Sequence, residues 1–505
     1  MRRLALRGAA VGAALLVIAC AVGPNHRVAD IRSVPDVYRG AEPAAAAPSS
    51  AFQGDTGAQS SDPPLNPSKE DASIADVPWW EVFRDPALSA LIKQATESAY
   101  DVRIAMARVE MARQSHLAAA WALAPTIGVL GGAGAAVGQP SVPSVYPPLA
   151  LNGHFGLNIG ASWEADLWGR LRRAKEVQKY NFEAVTEDWR GVQIALVGDV
   201  AETYFRLQSL DLQKNYALRA VATRSDTQSF FEQRAKGGVG NDLEVLRATA
   251  SLREAEAAVT RVDLEIANAE NGLSFLLARA PGPIQRAVGA GGLGAGPPSV
   301  PSGLPSSLLK RRPDIRAADR RLGAASAQIG VEKADFFPMF ELTGFLGVAS
   351  RDLQQASFAR GGSGLFSWTL PVLGGQRVQS EYKAAKAAWE GAAAEYERTA
   401  VNSFREVADS LAAIQVLGRR RAAIDGQLQA LERAEAVALD RYRGGVANYL
   451  DVLTTQEKLL VTQLDMADLM GLQQIAVARL YRTLGGGWSD PQKPAEGSGS
   501  ATAGR

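Results

Sequence analysis

The chain has 505 residues, 47% of them hydrophobic, so it is long enough to bury one or more large cores. Its 54 basic and 53 acidic side chains leave a formal net charge of +1, which argues against nucleic acid as a partner. The single cysteine, Cys20, excludes an intramolecular disulfide, a cysteine-based metal cluster and dithiol redox chemistry.

The N-terminus has the pattern of a secretory signal. Three arginines precede an apolar stretch over residues 8–19, which is too short to span a bilayer comfortably. The sequence VIAC, ending at Cys20, resembles a bacterial lipobox, in which the thiol is acylated and becomes the new N-terminus. We therefore predict a signal peptide over residues 1–19 and a lipid, such as palmitate, on Cys20. An ordinary signal peptide whose cleavage site contains a cysteine is the alternative.

The next segment has the composition of a linker. Residues 23–78 are rich in Pro, Ala, Ser and Gly and show little periodicity. We predict a lipidated N-terminal tether over residues 20–78, with folded structure starting at the sequence WWEVFRDP from Trp79.

The rest of the sequence contains an internal repeat. RAKGGVGNDLEVL starts at Arg234 and RYRGGVANYLDVL at Arg441, an offset of 207 residues. A second match has an offset of 213 and pairs Asp101 with Asp314, Arg103 with Arg316, Arg108 with Arg321, and Pro125 with Pro338. We predict two homologous halves. Their bounds are a first repeat over residues 79–285, a linker over 286–302, a second repeat over 303–488 and a disordered tail over 489–505.

Each half contains long helices that end in a hairpin tip. No proline occurs over residues 171–280 or 372–490, and apolar residues recur there at helical spacing. Glycines supply the turns, and Asn241 and Asn448 are placed to cap the returning helices. The predicted tips are Gly237, Gly238, Val239 and Gly240 in the first half, and Gly444, Gly445, Val446 and Ala447 in the second.

Each half also contains two segments that alternate between apolar and small or polar residues. We predict strands at about residues 125–137, 153–167, 338–350 and 364–373. A half-buried sheet in a soluble core is one interpretation. A membrane barrel is the other, with Trp163 and Trp368 at its interfaces, but about eight strands are needed to close one. Four strands per chain then require a dimer, a trimer or a tetramer.

Three motifs resemble signatures of the TolC-like outer-membrane efflux factors. They are ASWEADLWGR from Ala161, GLPSSLLKRRPDIRAADRRLGAASAQIGVEKADFFP from Gly303, and LYRTLGGGW from Leu480. The lipobox and PWWEVFRDP are similar to the lipoprotein, or NodT-type, branch, which serves resistance-nodulation-division pumps. The resemblance covers residues 16–488 in the right order.

The resemblance implies a mixed fold, in which an all-α barrel continues into a membrane β-barrel. It implies a homotrimer with a 12-stranded β-barrel in the outer membrane and a long α-helical barrel in the periplasm, each chain giving two strands and long helical hairpins per repeat. Drugs or other toxic small molecules would pass through passively, driven by an inner-membrane pump. The tips would meet a periplasmic adaptor, the membrane fusion protein, and the outer-membrane lipid would hold the lipid-anchored chain.

The resemblance also places an aperture beside the second tip, in RYRGGVANYLDVLTTQEK. Tyr442 and Leu450 match positions that line or brace the constriction in relatives. Two other positions depart from the family pattern, because relatives have an aspartate at the position of Thr454 and an arginine at that of Glu457. Asp451 lies three residues before Thr454, on about the same helix face.

The residues give no support for an enzyme, a metal site or a cofactor. His26, His116 and His154 are scattered, without metal-ligand spacing. Glu164 and Asp166 are the nearest approach to an acid/base pair, and a polar rim between strand and helix explains them better. Two other functions remain as alternatives: an outlet for protein secretion, and a periplasmic coiled-coil scaffold lipoprotein.

Overall fold

The computed structural model describes residues 21–26, 79–133, 155–238, 240–286, 311–350, 359–370 and 375–486. These residues belong to two compact units. The sheet unit draws on Met1–Ile31, Met106–Asp188 and Asp314–Thr399, and the hairpin unit on Arg32–Ala105, Trp189–Pro313 and Ala400–Arg505. The predicted signal peptide, Cys20, most of the tether and linker, and the tail lie outside the described residues.

The sheet unit contains one antiparallel sheet with strand order β1-β2-β3-β4. Its strands are β1 (Thr126–Ala133), β2 (Phe155–Ala165), β3 (Met339–Ser350) and β4 (Ala359–Thr369). The alternation pattern placed the start of β4 near residue 364, whereas the strand begins at Ala359, which pairs with Ala349 of β3. Three glycines between residues 361 and 364 have no side chains to alternate, so the pattern could not mark this start.

One face of this sheet is apolar and exposed. The register aligns Val129 with Ile159 and Ile159 with Leu346, so their side chains share a face. All three are largely exposed, as are Phe366 and Trp368 of β4. A sheet packed on a soluble core would bury these side chains. The exposed face is what a strand surface in contact with lipid requires.

Seven helices complete the described structure, after a 3₁₀ turn over Trp79–Phe83. They are α1 (Pro86–Ser98), α2 (Tyr100–Trp121), α3 (Arg170–Lys236), α4 (Asp242–Leu276), α5 (Pro313–Ala334), α6 (Gly375–Arg443) and α7 (Tyr449–Thr483). Among them, none is both long enough and apolar enough to cross a bilayer.

The two longest helices are nearly equal. α3 has 67 residues and α6 has 69, each about 100 Å long at about 1.5 Å per residue. Arg377 aligns with Arg170 at the 207-residue offset, and the distance along the chain from Arg377 to Arg443 equals that from Arg170 to Lys236. Both repeats therefore have the same length of helix between the strand and the hairpin turn.

The WWEVFRDP motif closes the core of the hairpin unit. Trp79 is fully buried and stacks on Tyr481 of α7, with ring centroids 5.6 Å apart. Asp85 caps α1 by accepting from the amide of Ala87 at 2.9 Å, and it also accepts a hydrogen bond from the Tyr204 hydroxyl at 2.6 Å. One carboxylate therefore starts α1 and fixes it to α3.

The start of the predicted linker is held in place. Arg286 was expected to begin a surface linker, but its guanidinium contacts Asp211 at 2.6 Å and Glu270 at 2.5 Å. All three side chains are mostly buried. A buried cation needs such partners, because an unpaired charge away from water is costly. Ordered structure therefore extends at least to residue 286.

Candidate functional site

The first hairpin end joins α3 to α4; of its predicted tip residues, Val239 lies outside the described residues. Gly238 has φ +76°, a conformation that glycine adopts without strain, and its amide donates to the carbonyl of Ala235 at 3.0 Å. Asn241 caps α4 by accepting from the amide of Leu243 at 2.9 Å. A methyl group on Gly240 would lie 2.5 Å from the Ala235 nitrogen. Close backbone contact thus requires glycine at position 240.

The second hairpin end, residues 443–448, joins α6 to α7 by the same means. Gly445 has φ +74°, and its amide donates to the Tyr442 carbonyl at 3.0 Å. The amide of Val446 donates to the carbonyl of Arg441 at 3.0 Å, which completes a Schellman motif. Asn448 caps α7 through the amide of Leu450 at 3.1 Å. Both predicted asparagine caps are confirmed.

An aromatic cluster lies beneath these ends and joins the two hairpins. Phe231 of α3 packs edge-to-face on Tyr449 of α7, with ring centroids 4.5 Å apart, and on Tyr442 of α6 at 5.9 Å. Phe231, Tyr449 and the neighbouring Val452 are buried. The two ends therefore share one core. Sequence analysis missed this cluster, since Phe231 and Tyr449 align with Ala438 and Asp242 in the opposite halves.

The cations beside the turns have different surroundings. The Arg234 guanidinium donates to the Tyr442 hydroxyl at 3.2 Å and lies 5.7 Å from the centroid of the Phe230 ring. Lys236, Arg441 and Arg443, in contrast, have exposed side chains. Arg234 thus belongs to the support of the hairpins, while the other three form an exposed basic surface.

Burial raises the pKa of the Tyr442 hydroxyl, and the neighbouring Glu244 carboxylate raises it further against the opposing effect of Arg234. Burial is also the main reason that the pKa of Tyr449 is raised. Both hydroxyls therefore stay neutral at physiological pH.

The five predicted aperture residues divide into two groups. Tyr442 is half-buried in the aromatic cluster, where it braces the helices. Leu450, Asp451 and Thr454 are exposed on α7, and Glu457 is half-buried one turn further on. Positions 450, 454 and 457 share a helix face. The Thr454 hydroxyl donates to the Leu450 carbonyl within the helix, so its methyl group and oxygen are held in one orientation.

A small cavity of about 110 Å³ lies deeper in the hairpin unit and was not predicted. Arg224, one of its lining residues, is almost fully buried and donates to the Ser251 carbonyl at 2.7 Å. Across the cavity, Gln456 donates to Glu435 at 3.0 Å. The cavity is too small for a drug-sized ligand, and its polar groups join α3 to α4 and α6 to α7.

The predicted tether begins with a docked segment, residues 21–26, in the sheet unit. The amide of Val22 donates to the Trp168 carbonyl at 3.1 Å. Gly23 has φ +118°, and a methyl group there would lie 2.5 Å from the Gly330 α-carbon. The backbone at Gly23 is therefore in direct contact with the backbone at Gly330, which is possible because neither residue has a side chain.

Side chains complete this docking. Arg173 donates to Asn25 at 2.8 Å, and the His26 ring nitrogen Nε2 lies 3.0 Å from the Asp319 carboxylate. A free tether from residue 20 onward was thus expected, but its first described residues are fixed. Composition did not reveal this, because the contacts of six residues leave no trace in the composition of a long segment rich in Pro and Ala. Cys20 directly precedes the docked segment.

Acidic residues form the predicted polar rim between β2 and α3. Glu164 accepts two hydrogen bonds from Arg170, at 3.0 and 2.5 Å. Asp166 accepts from the amide of Arg172 at 2.9 Å at the start of α3. Both carboxylates thus have structural partners. Among the described residues, no group of three or more His, Cys, Asp and Glu side chains could hold a metal ion.

A family model described as "Outer membrane efflux protein" matches residues 91–279 and 304–486. Among similar proteins, the solvent efflux pump outer membrane protein SrpC of Pseudomonas putida is 32% identical over 425 residues, covering 82% of this chain and 88% of that protein. The probable outer membrane lipoprotein SilC of Salmonella typhimurium is 28% identical over 425 residues, covering 82% and 89%.

This chain is also similar to solved structures. A crystal structure of CusC, from work on folding and transmembrane channel formation, superposes on this chain with a TM-score of 0.76 at 26% identity, covering 93% of this chain and 100% of that one. The two family matches fall on the two repeats and leave out residues 280–303, which include the whole predicted linker. The chain belongs to the outer membrane efflux protein family and is an outer-membrane component of an efflux system.

Proposed function

We propose that three copies of this chain form a passive duct, through which an inner-membrane pump and a periplasmic adaptor discharge small toxic molecules to the exterior. The exposed apolar face of the sheet is the observation that supports this proposal most strongly. Val129, Ile159, Leu346 and Trp368 would face lipid, while most residues on the opposite face are small or polar. The duct needs no catalytic step, since the pump supplies the energy.

The strand count supports more than one copy. Among the strands that the structure describes, β1 and β4 are the outer ones, and each has one edge whose backbone groups pair with no other described strand. Unpaired backbone groups in lipid are too costly to persist. Three copies pair every edge in a closed barrel of twelve strands, wide enough for a water-filled lumen. Cross-linking the purified chain in mild detergent with a lysine-reactive reagent should give a ladder ending at the trimer.

The hairpin ends have the properties of docking tips. The turn at Gly444–Ala447 is formed by backbone bonds and Gly445, and Val446 contributes an exposed apolar side chain that the turn does not need. Arg441 and Arg443, which precede this turn in the sequence, and Lys236 beside the other turn are exposed cations. We assign adaptor docking to both tips, Gly237–Gly240 and Gly444–Ala447, and assign the aperture to Leu450, Asp451, Thr454 and Glu457, braced by Tyr442.

The lipid on Cys20 would aid anchoring. The amide of Val22, two residues after that cysteine in the sequence, donates to the carbonyl of Trp168, three residues after the end of β2, which supports a lipid that enters the same membrane as the strands. SilC, a similar protein, has "lipoprotein" in its name. Cys20→Ser should abolish labelling by fatty acid yet leave the exported protein in the membrane, because the strands would hold it in the bilayer without the lipid.

Changing Val239 and Val446 to aspartate tests the tips. Stability and cross-linked trimer should be unchanged, because exposed turn substitutions usually cost little. Efflux of dyes, and co-purification with an adaptor, should fall. The control variant changes Val461, an exposed valine further along α7, to aspartate and should retain efflux. Full efflux in the Val239 and Val446 double variant would place docking elsewhere.

A further inference from the structure

A larger cavity lies in the sheet unit, where the strands continue into helices. Its volume is about 340 Å³, which is within the range of small-molecule sites. The ends of β2 and β4 and the start of β3 contribute to its lining, together with the first turns of α3 and α6 and the end of α5. Its chemistry therefore depends on side chains at the junction between sheet and helices.

The register of the sheet shows on which face this cavity lies. Glu164 of β2 pairs with Glu341 of β3, so their side chains share a face. Met339, two residues before Glu341, shares that face, as does its partner Thr369 of β4. Trp163 lies on the other, apolar face. Because Glu164, Met339 and Thr369 all line the cavity, it would lie on the lumen side of the proposed duct.

Most charged groups of the cavity already have partners. Arg170 donates to Glu164 at 3.0 Å, and Arg377 donates to Glu381 at 2.7 Å. The Asp166 carboxylate accepts hydrogen bonds from two backbone amides at the start of α3. These charges are therefore satisfied within the chain and require no ligand.

Asp335 is the carboxylate of the cavity that differs. Among the described residues, its side chain has no hydrogen bond and no ion pair. Burial raises the pKa of this carboxyl, against the opposing effect of Arg170 and Arg377. Glu332 and Glu381 add to the rise. A carboxylate that loses water without gaining a counter-ion is stabilised by a cation that binds beside it.

Two aromatic rings line the cavity together with this carboxylate. Trp168 stacks on Phe337, with ring centroids 4.7 Å apart. The indole nitrogen of Trp168 donates to the Pro338 carbonyl at 2.8 Å, which fixes the orientation of the ring. Aromatic rings attract cations. A single carboxylate beside such rings suits a cation that also has an apolar body.

A metal ion would fit this cavity poorly. Hard metal cations take six or more oxygen ligands, and in the part of the chain that the structure describes no group of three or more His, Cys, Asp and Glu side chains could hold a metal ion. Leu167, Met339 and Val378 also make part of the lining apolar. An organic ammonium ion needs only one carboxylate and an apolar surface.

We propose that this cavity is a binding site for small organic cations that pass through the duct. The ammonium group lies at Asp335, and the apolar body lies against Trp168 and Phe337. The assignment rests on the proposed function and adds a chemical preference at one place on the lumen wall. Because a conducted solute has to leave again, the site binds weakly and releases its ligand readily.

Binding of ethidium, a fluorescent organic cation, to the full chain purified in mild detergent tests the site. We expect saturable binding that benzyltrimethylammonium displaces and that benzyl alcohol, which has no charge, does not. Asp335→Asn keeps the shape of the side chain and removes its charge, so the affinity should fall about tenfold through loss of one charged contact. The control, Glu390→Gln, removes an exposed carboxylate about 20 Å along α6 from Arg377 and should leave the affinity unchanged.

The pH dependence of binding gives a second measurement. Ligand binding requires the ionised Asp335, so it should be complete above the pKa of this carboxyl and be lost as pH falls through it. Because that pKa is raised, the loss should begin above the ordinary aspartate value of about 4. The other carboxylates near the cavity are Glu164, Asp166, Glu332 and Glu381. Asp335→Asn retains all four, so the difference between the two pH profiles isolates Asp335.

A filling substitution tests the place of binding. Thr369→Phe adds a ring at the end of β4, on the face that lines the cavity, and should abolish displaceable binding while Asp335 remains. Parental affinity in Thr369→Phe would contradict the location. Equal affinity of the parent and Asp335→Asn, or equal displacement by benzyl alcohol, would contradict the cation preference.

Two outcomes separate the site from the duct. If the chain cross-links to a trimer and restores efflux to a deletion strain but binds no ethidium, the cation site is wrong and the duct stands. If ethidium binds and Asp335→Asn weakens it, while cross-linking ends below the trimer, the duct is wrong and the cation preference of the cavity stands.

Discussion

The two hairpin ends have similar turns, but the residues packed beneath those turns differ. Both end a long helix with Gly-Gly, place a glycine at φ near +75°, and start the next helix at an asparagine cap. Beneath the turns, the halves diverge. Tyr449 is buried, whereas its equivalent Asp242 is exposed, and Gly240 contacts backbone where the second half has Ala447.

The difference shows how a duplicated motif becomes one unit. Residues that set backbone conformation were retained in both copies, since their role is local. Core residues diverged because Phe231 from the first hairpin and Tyr449 from the second fill one shared space. The two ends should therefore depend on each other, and four substitutions or conditions test that dependence.

The largest effect is expected from Tyr449→Ala. Removing a buried aromatic side chain costs about 3–5 kcal/mol, and here it would open the core of both hairpins. Hydrogen exchange should report lost protection at the ends of α3 and α6 alike. The matched variant, Asp242→Ala, should cost less than about 1 kcal/mol, the usual contribution of a carboxylate in a first helical turn. Lost protection confined to α6 and α7 would show that the ends are independent.

Exchanging the turn residues should give the next largest effect. Gly240→Ala places a methyl group 2.5 Å from the Ala235 nitrogen, so the backbone must move, at a cost of about 1–3 kcal/mol. The reciprocal Ala447→Gly should cost no more than about 1 kcal/mol through added flexibility. Limited proteolysis at the two turns measures both. If protease cleaved the two variants equally fast, the backbone around residue 240 would accommodate the added methyl group without a measurable loss of stability.

The two asparagine caps should respond alike to substitution, in contrast to the core residues beneath the turns. Asn241→Ala and Asn448→Ala each remove one side-chain acceptor, and loss of such a cap costs about 1 kcal/mol. Exchange of the first amides in α4 and α7 should rise to a similar degree. A several-fold difference between the two variants would indicate that the caps, like the cores, have diverged.

High pH should have the smallest effect, which we expect through two tyrosines of the second hairpin, Tyr442 and Tyr449. Because the folded pKa of Tyr442 and Tyr449 is raised, their contribution to stability is complete below the unfolded tyrosine pKa of about 10. It is lost as pH rises through the folded values. Protection at the ends should fall above about pH 10, and less so in Tyr449→Phe. An unchanged profile in that variant would exclude Tyr449 as a source.

Much of this architecture could be predicted from local signals. Paired glycines, the asparagine spacing and long proline-free stretches indicated the hairpins, and period-two alternation indicated the strands. The start of β4 could not be predicted, because its glycines show no alternation and the register comes from β3. Phe231 and Tyr449 were missed for a different reason, since their contact joins residues more than two hundred positions apart.

The aperture residues also show that local sequence signals do not reveal contacts between distant parts of the structure. Spacing places Leu450, Thr454 and Glu457 on one face of α7, and the structure leaves the first two exposed there. In the proposed trimer their neighbours would include residues of other copies, so their role stays a prediction. The docked segment at residues 21–26 was missed because contacts such as Gly23 with Gly330 leave no periodic pattern.

The matched length of α3 and α6 restricts how such a chain can change during evolution. From Arg170 and from Arg377, the same number of residues leads to the respective hairpin turn. An insertion of one helical turn in a single half would move one turn about 5.4 Å farther from its strand than the other. Insertions in these helices should therefore be inherited in pairs, one in each half, as compensating events.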